Sequence, residues 1–272
     1  MDNLNRKWYS VCYMPVTDRQ LKESGYSGYA PICKTVVKST YAIYVSDDGG
    51  NPVDGYEGTA FAVSPEGHLL TATHVIKGIE NEIEHPDHHL ALTRDLSPYG
   101  DGGGETIRGI ELVEMFDLPI DITVLQMDVD TDEIGSFEYL TLRTGGHVES
   151  MGQPTAAFGY PEAINDTRDG WNINQATISG VISSINTFDG FPAYQIDTLF
   201  LPGLSGGPLV SLRKGDVIGV VHKREKYGEY DGFGHRQFPA QISEAKVVTS
   251  TSISDIGNKL EGLEVSYRHE PK

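Results

Sequence analysis

The sequence predicts an all-β protein with two lobes and one closing helix, and three patterns carry that expectation. Glycine punctuates short apolar and aromatic runs throughout, which is the spacing of strands joined by tight turns. A polar stretch from Asp128 to Ser150 separates two groups of such runs, as a connection between β lobes would. Helical periodicity stands out once, over residues 252–263, where Ile253, Ile256, Leu260 and Leu263 recur at helical spacing behind Ser and Asp capping types.

In chain order, residues 1–35 precede the first convincing strand and read as an extension without assigned structure. The first lobe, about residues 36–130, carries strands at 36–45, 58–63, 68–73, 107–115 and 122–127. Ser64-Pro65-Glu66-Gly67 joins two of them, with Pro fixing one φ and Gly permitting the next. The second lobe, about residues 148–250, carries strands at 154–158, 176–185, 193–197, 208–212 and 216–222. The helix follows, and residues 266–272 form a tail. No Pro- or Ser-rich linker and no fixed-period repeat cuts the body at residues 36–265.

Composition excludes several classes. The chain has 272 residues, 38% of them apolar, which supports a full core and argues against wholesale disorder. No apolar run approaches the ~20 residues of a membrane span, so no membrane partner is expected. With 39 acidic and 21 basic residues the net charge is −18, which speaks against binding nucleic acid through a general basic surface. Cys12 and Cys33 support neither a disulfide framework nor a four-cysteine zinc site, and free thiols are the default. The opening residues lack an apolar signal core, so a cytoplasmic location is expected.

Three segments carry chemistry. Leu69-Leu70-Thr71-Ala72-Thr73-His74-Val75 puts a His at the end of an apolar strand. Asp121-Ile122-Thr123-Val124-Leu125 puts an acid before one; that apolar run favours Asp121 over nearby Asp117 and Asp128. Pro202-Gly203-Leu204-Ser205-Gly206-Gly207 puts a Ser in a glycine-dense turn. Acyl transfer needs all three types. A Ser hydroxyl is a weak nucleophile until an imidazole takes its proton, and the imidazole needs a carboxylate to hold its tautomer. Glycines let backbone N–H groups of Gly203 and Ser205 face a developing oxyanion.

These motifs resemble the trypsin-like (chymotrypsin-fold) serine endopeptidases, and within them the HtrA-type branch without its PDZ domain. The resemblance covers roughly residues 36–265 and rests on GTAFAV, LLTATHV, DITVL, GQPTAAFGYP, ISGVIS, QIDTLFLPGLSGGPLV and VIGVV. It implies two antiparallel six-stranded β-barrels, a protein or peptide substrate, and no metal or organic cofactor. It makes His74 the general base, Asp121 the orienting acid and Ser205 the nucleophile, with Gly203 and Ser205 as the oxyanion hole. Leu199 and Phe200 fall where the floor of the specificity pocket lies, which implies a small or medium aliphatic residue before the cut bond. Val221, His222 and Lys223 fall on the strand that flanks substrate. His222 is either an ordinary strand residue, or it tunes the triad or, with Lys223 and Arg224, attracts an acidic substrate side chain. Leu204 stands where trypsin has Asp, so activation by a freshly cut N-terminal amine is not expected.

Other features read as structural. His85, His88 and His89 match no zinc spacing and read as a solvated loop; Gly102-Gly103-Gly104 lacks a following P-loop Lys and reads as a surface loop. The Asn165-Asp166-Thr167 sequon carries no weight without a secretory signal. Two rivals stay open: the same fold used as a non-catalytic binding scaffold, and an ester hydrolase, whose usual nucleophile elbow and triad order are absent here.

Overall fold

A computed structural model describes residues 29–53, 55–95, 104–107, 109–117, 120–128, 138–144, 149–161, 174–188, 191–199, 201–222, 247–253 and 256–268. Thirteen strands and four short helices make up the described elements. Helix α1 (Tyr29–Lys38) leads into β1 (Thr40–Asp47), β2 (Gly58–Ala62) and β3 (His68–Thr71). Helices α2 (Thr73–Gly78) and α3 (Glu80–Ile83) follow, then β4 (His88–Asp95), β5 (Gly104–Ile107), β6 (Ile110–Phe116) and β7 (Ile122–Met127). The second lobe holds β8 (Pro154–Gly159), β9 (Ala176–Phe188), β10 (Phe191–Leu199), β11 (Pro208–Ser211), β12 (Val217–His222) and β13 (Val247–Ser252), closed by α4 (Gly257–Gly262).

Every pairing between the described strands is antiparallel, and one isolated parallel bridge joins Leu142 to Val217. The first sheet runs β5-β4-β1-β2-β3-β7-β6 and brings β6 back toward β4, so it curls into a near-barrel. The second closes fully in the order β10-β13-β12-β11-β8-β9. The expected two-barrel architecture with a C-terminal helix is the observed one. The second barrel has six strands; the first sheet has seven, because the run read as one strand over 107–115 breaks at Gly109, whose φ is +74°.

Strand alternation explains the burial. Along β1, Tyr41, Ile43 and Val45 enter the main core, while Ala42 and Tyr44 face the other side and meet Tyr56, Ala91 and Tyr160. Period-two alternation assigns the two sets to opposite faces. The main core continues through Phe158, Val210 and Val220 into Ile256 and Leu260, so one apolar cluster spans both lobes. A smaller cluster, including Tyr194, Leu204, Leu209, Ile218 and Val221, fills the second barrel.

Four readings need correction. Residues 36–38 belong to α1, because Val36 is buried as part of its apolar face and its carbonyl accepts the Thr40 hydroxyl at 2.6 Å. The domain start expected at residue 36 therefore cuts through a helix. His88 and His89 open β4 and pair with Asp47 and Ser46, although their side chains stay half-buried or exposed. Gly104 likewise opens β5. Strands β4 and β13 are additions to the sequence reading, and α2 and α3 add helix where none was expected.

The polar connection is stitched down where it is described. Leu140 N–H donates to Ala62 O at 2.9 Å, and Arg143 N–H donates to Val217 O at 2.9 Å. The buried Arg143 guanidinium grips Asp216 through Nε at 2.5 Å and a second nitrogen at 2.6 Å, and also pairs with Glu149. A buried fork of this kind ties the connection to the turn that starts β12.

Candidate active site

Strand β3 ends at Thr71, and the chain turns at Ala72 into α2, which carries His74 on its first turn. The His74 side chain is about two-fifths exposed, whereas that of Asp121 is nearly buried. Asp121 opens β7 from a backbone φ of +54°, a region that Asp tolerates better than most residues. This turn aims both carboxylate oxygens at one residue. Oδ1 accepts the backbone N–H of His74 at 3.0 Å, and Oδ2 meets its Nδ1 at 2.7 Å. A carboxylate in that position accepts from Nδ1–H and leaves Nε2 free to take a proton. On the outer side, Lys77 pairs with Asp117 at 2.6 Å, and that hydrogen bond raises the lysine pKa.

The Ser205 turn comes from the second barrel yet lies against the first. Gly203 and Gly206 have φ of +90° and +84°. A Cβ at Gly206 would collide with Thr59 O and Thr71 Oγ1 and come within 3.0 Å of Ala72 N. A Cβ at Gly58 would press on the Val75 side chain at 2.7 Å and on Ser205 O at 3.0 Å. The nucleophile turn is thus packed on the segment that delivers His74, and only glycine fits at these approaches. Among the described residues, the N–H groups of Gly203 and Ser205 have no hydrogen-bond acceptor, whereas those of Leu204, Gly206 and Gly207 are bonded.

The sequence-predicted residues divide accordingly. His74, Asp121, Gly203 and Ser205 gather at the junction of the two lobes. Val221, expected on the strand beside substrate, is bonded to the serine turn. Its side chain is fully buried in the second barrel, its carbonyl takes Gly206 N–H at 2.6 Å, and its N–H donates to Gly207 O at 2.8 Å. It braces the serine turn from behind. His222 is half-buried opposite Thr249 at the end of the described part of β12. Leu199 ends β10 paired with Val247, while Phe200, Lys223 and Arg224 lie outside the described residues, as do Asn165 and Cys12. Leu204 is fully buried and apolar, with no carboxylate to offer. Cys33 is a half-buried thiol whose pKa burial pushes up. No group of three or more metal-ligating side chains occurs among the described residues.

Sequence reasoning missed the threonines. Thr73 donates its hydroxyl proton to Phe116 O at 3.0 Å and so accepts from Thr123 Oγ1 at 2.9 Å, and its N–H donates to Asp121 O at 3.3 Å. Thr59 and Thr71 make comparable bonds at the serine turn. Their one visible signal is a hydroxyl side chain inside an otherwise apolar run, as in GTAFAV and LLTATHV.

An imidazole held at two points by a buried carboxylate, beside a glycine-bracketed serine between two β-barrels, is the arrangement of two-barrel serine peptidases. The chain belongs to the trypsin-like peptidase domain family, whose model matches residues 58–220. Relatives point to the expected HtrA-type branch. A probable periplasmic serine endoprotease, DegP-like, from Halomonas elongata is 31% identical over 167 residues, covering 60% of this chain and 28% of the relative. Human serine protease HTRA4 is 26% identical over 175 residues, covering 63% of this chain and 31% of its own length. The chain thus spans less than a third of the curated relatives it matches. Solved structures share the fold: the HtrA-type protease AlgW with a decapeptide has a TM-score of 0.55 at 19% identity, covering 87% of this chain and 66% of that one. The serine endoprotease from Yersinia pestis has a TM-score of 0.55 at 18% identity, covering 86% and 66%. The expected cytoplasmic location finds no support among the relatives: the one from Halomonas elongata and a further one from Pseudomonas savastanoi pv. phaseolicola are both named as probable periplasmic proteases.

Proposed function

We propose that the chain is a serine endopeptidase in which Ser205 is the nucleophile, His74 the general base and Asp121 the residue that orients it. The observation that carries this reading is the two-point grip of Asp121 on His74, at 3.0 and 2.7 Å, next to a serine turn with two unclaimed N–H groups. Ser205 Oγ attacks the carbonyl carbon of the scissile peptide while His74 Nε2 takes its proton. The negative charge that develops on the carbonyl oxygen is met by the N–H groups of Gly203 and Ser205. His74 then protonates the leaving amine, and water repeats the sequence to release the acyl group. Asp121 stabilises the imidazolium formed in each half-reaction.

Substrate is a protein or peptide in extended form. The apolar residue types of Leu199 and Phe200, ahead of the nucleophile in sequence, support an apolar pocket floor, so a small or medium aliphatic residue precedes the cut bond. An unpaired Lys or Arg there would cost several kcal/mol to bury. Each extra methylene adds only about 1 kcal/mol, so the selectivity is loose.

The test combines a fluorophosphonate probe with a proteome-derived peptide library. Probe labelling at Ser205, abolished in Ser205→Ala, together with a kcat loss of roughly 10⁴–10⁶, is the expected result. Near-wild-type peptidase activity in purified Ser205→Ala removes the mechanism. A cleavage profile dominated by Lys or Arg removes the apolar floor, and one dominated by Glu assigns specificity to His222, Lys223 and Arg224.

A further inference from the structure

Thr59 sits on β2 of the first sheet, fully buried, in a run that the sequence marks only as a strand. All of its polar groups are committed. Its N–H donates to Ser205 O at 2.8 Å, and its carbonyl accepts the Thr71 hydroxyl at 2.8 Å. Its hydroxyl accepts the N–H of Tyr160 at 3.1 Å and lies 2.7 Å from Gly203 O. An amide N–H can only donate and a carbonyl can only accept. The single hydroxyl proton therefore goes to Gly203.

The three peptide planes between Gly203 and Gly206 are each held. The first is fixed by Thr59 Oγ1 at its carbonyl and by Leu201 O, at 3.2 Å, on the Leu204 N–H. The second is fixed by the Gly207 N–H on Leu204 O at 3.0 Å. The third is fixed by the Thr59 N–H on Ser205 O and by Val221 O on the Gly206 N–H. In a trans peptide the N–H and C=O point in opposite directions. Tying Leu204 O inward therefore turns the Ser205 N–H outward. Gly203 has a φ of +90°, which leaves its own N–H direction dependent on how firmly the following plane is held. Two of the three planes are held by Thr59.

We propose that Thr59, contributed by the opposite lobe, is a positioning residue for the oxyanion hole: its hydroxyl fixes the Gly203 carbonyl and its N–H the Ser205 carbonyl, so the two planes it holds aim the Gly203 N–H and bracket the plane that carries the Ser205 N–H. The inference rests on the peptidase reading above. The Thr59 hydroxyl bonds Gly203 and Tyr160 and not His74, so it acts through the shape of the turn.

The experiment compares Thr59→Val, which keeps volume and β-branching but removes the hydroxyl, with Thr59→Ser, which keeps the hydroxyl. Outright loss of an oxyanion donor costs about 10²–10³ in kcat, so misaiming one is expected to cost about 10–100-fold. KM and the pH midpoint of kcat/KM should stay near wild type, because His74 and Asp121 are untouched. Thr59→Ser should recover most of the activity. A peptide boronic acid, which mimics the tetrahedral adduct on Ser205, should lose affinity by the same factor as kcat/KM. Binding of the uncleaved peptide to Ser205→Ala should be the same with and without Thr59→Val. Wild-type kcat in folded Thr59→Val, a loss carried by KM alone, or unchanged boronate affinity would overturn the proposal. If Thr59→Val does not fold, Thr59→Ala is read against the same outcomes. An active Ser205→Ala defeats the peptidase reading beneath the proposal, whereas an inactive one beside a fully active Thr59→Val defeats the proposal alone.

Discussion

Replacing Asp121 with Asn tests the imidazole grip with almost no change of shape. Asn is one of the few residues that tolerates a φ near +54°, so the turn should keep its backbone and the protein its thermal midpoint. The chemistry does not survive so well. The wild-type carboxylate accepts two hydrogen bonds, one from the backbone N–H of His74 and one from Nδ1. An amide has one acceptor oxygen and one donor nitrogen. If the oxygen keeps the backbone N–H, which cannot change role, the NH2 faces Nδ1 and forces it to accept. The ring proton then moves to Nε2, the nitrogen that must receive the serine proton. If the amide flips, its NH2 faces the backbone N–H and two donors collide. Neither arrangement gives a competent base. A tautomer error of this kind costs about 10⁴ in kcat, close to 5.5 kcal/mol at 1.36 kcal/mol per decade. The assay is kcat and KM on a fluorogenic peptide taken from the library profile, with circular dichroism confirming the fold. A folded Asp121→Asn enzyme within tenfold of wild type would refute the argument.

Other expectations follow from the packing. Gly206→Ala places a Cβ against Thr59 O and Thr71 Oγ1 at a φ of +84° and should destabilise the fold by more than about 3 kcal/mol in urea titration. Arg143→Met strands Asp216 and Glu149 as buried carboxylates and should cost about 3–5 kcal/mol, most of it recovered when all three residues are replaced by apolar ones. Burial holds the His68 imidazole below its usual pKa of 6.5, where its Nδ1 meets the Ser64 hydroxyl at 2.8 Å. The unfolded chain therefore binds that proton more readily, and the stability from neutral His68 is complete above pH 6.5 and falls as pH drops toward the folded value. Denaturation midpoints measured from pH 7.5 to 5 should fall less steeply in His68→Gln than in wild type; equal slopes refute the assignment.

Much of this molecule could be read from the chain because its signals are local. A His at a strand end, an Asp before an apolar run and a Ser among glycines each advertise a turn geometry, and their order does the rest. Strand β4 escaped notice because His88-His89-Leu90 gives no clean alternation at its start, and its pairing with β1 is what extends it. Residues 36–38 are β-branched or flexible and carry strand propensity, yet burial of Val36 on the apolar face of α1 outweighs it. Val221 was legible only in part, for a related reason. Sequence places it on the strand behind the nucleophile but does not say which of its groups the turn already occupies. Thr59 and Thr73 are the deepest omissions, since a buried hydroxyl shows its purpose only through partners distant in sequence.

The division of the site between two lobes also orders events in time. The base and acid are made by residue 121, long before the nucleophile, and the strand that braces the serine turn ends only at His222. On the proposed mechanism, a chain that stops short of β12 holds the base and the acid but lacks the Val221 backbone groups that bond Gly206 and Gly207, so its nucleophile turn has no brace.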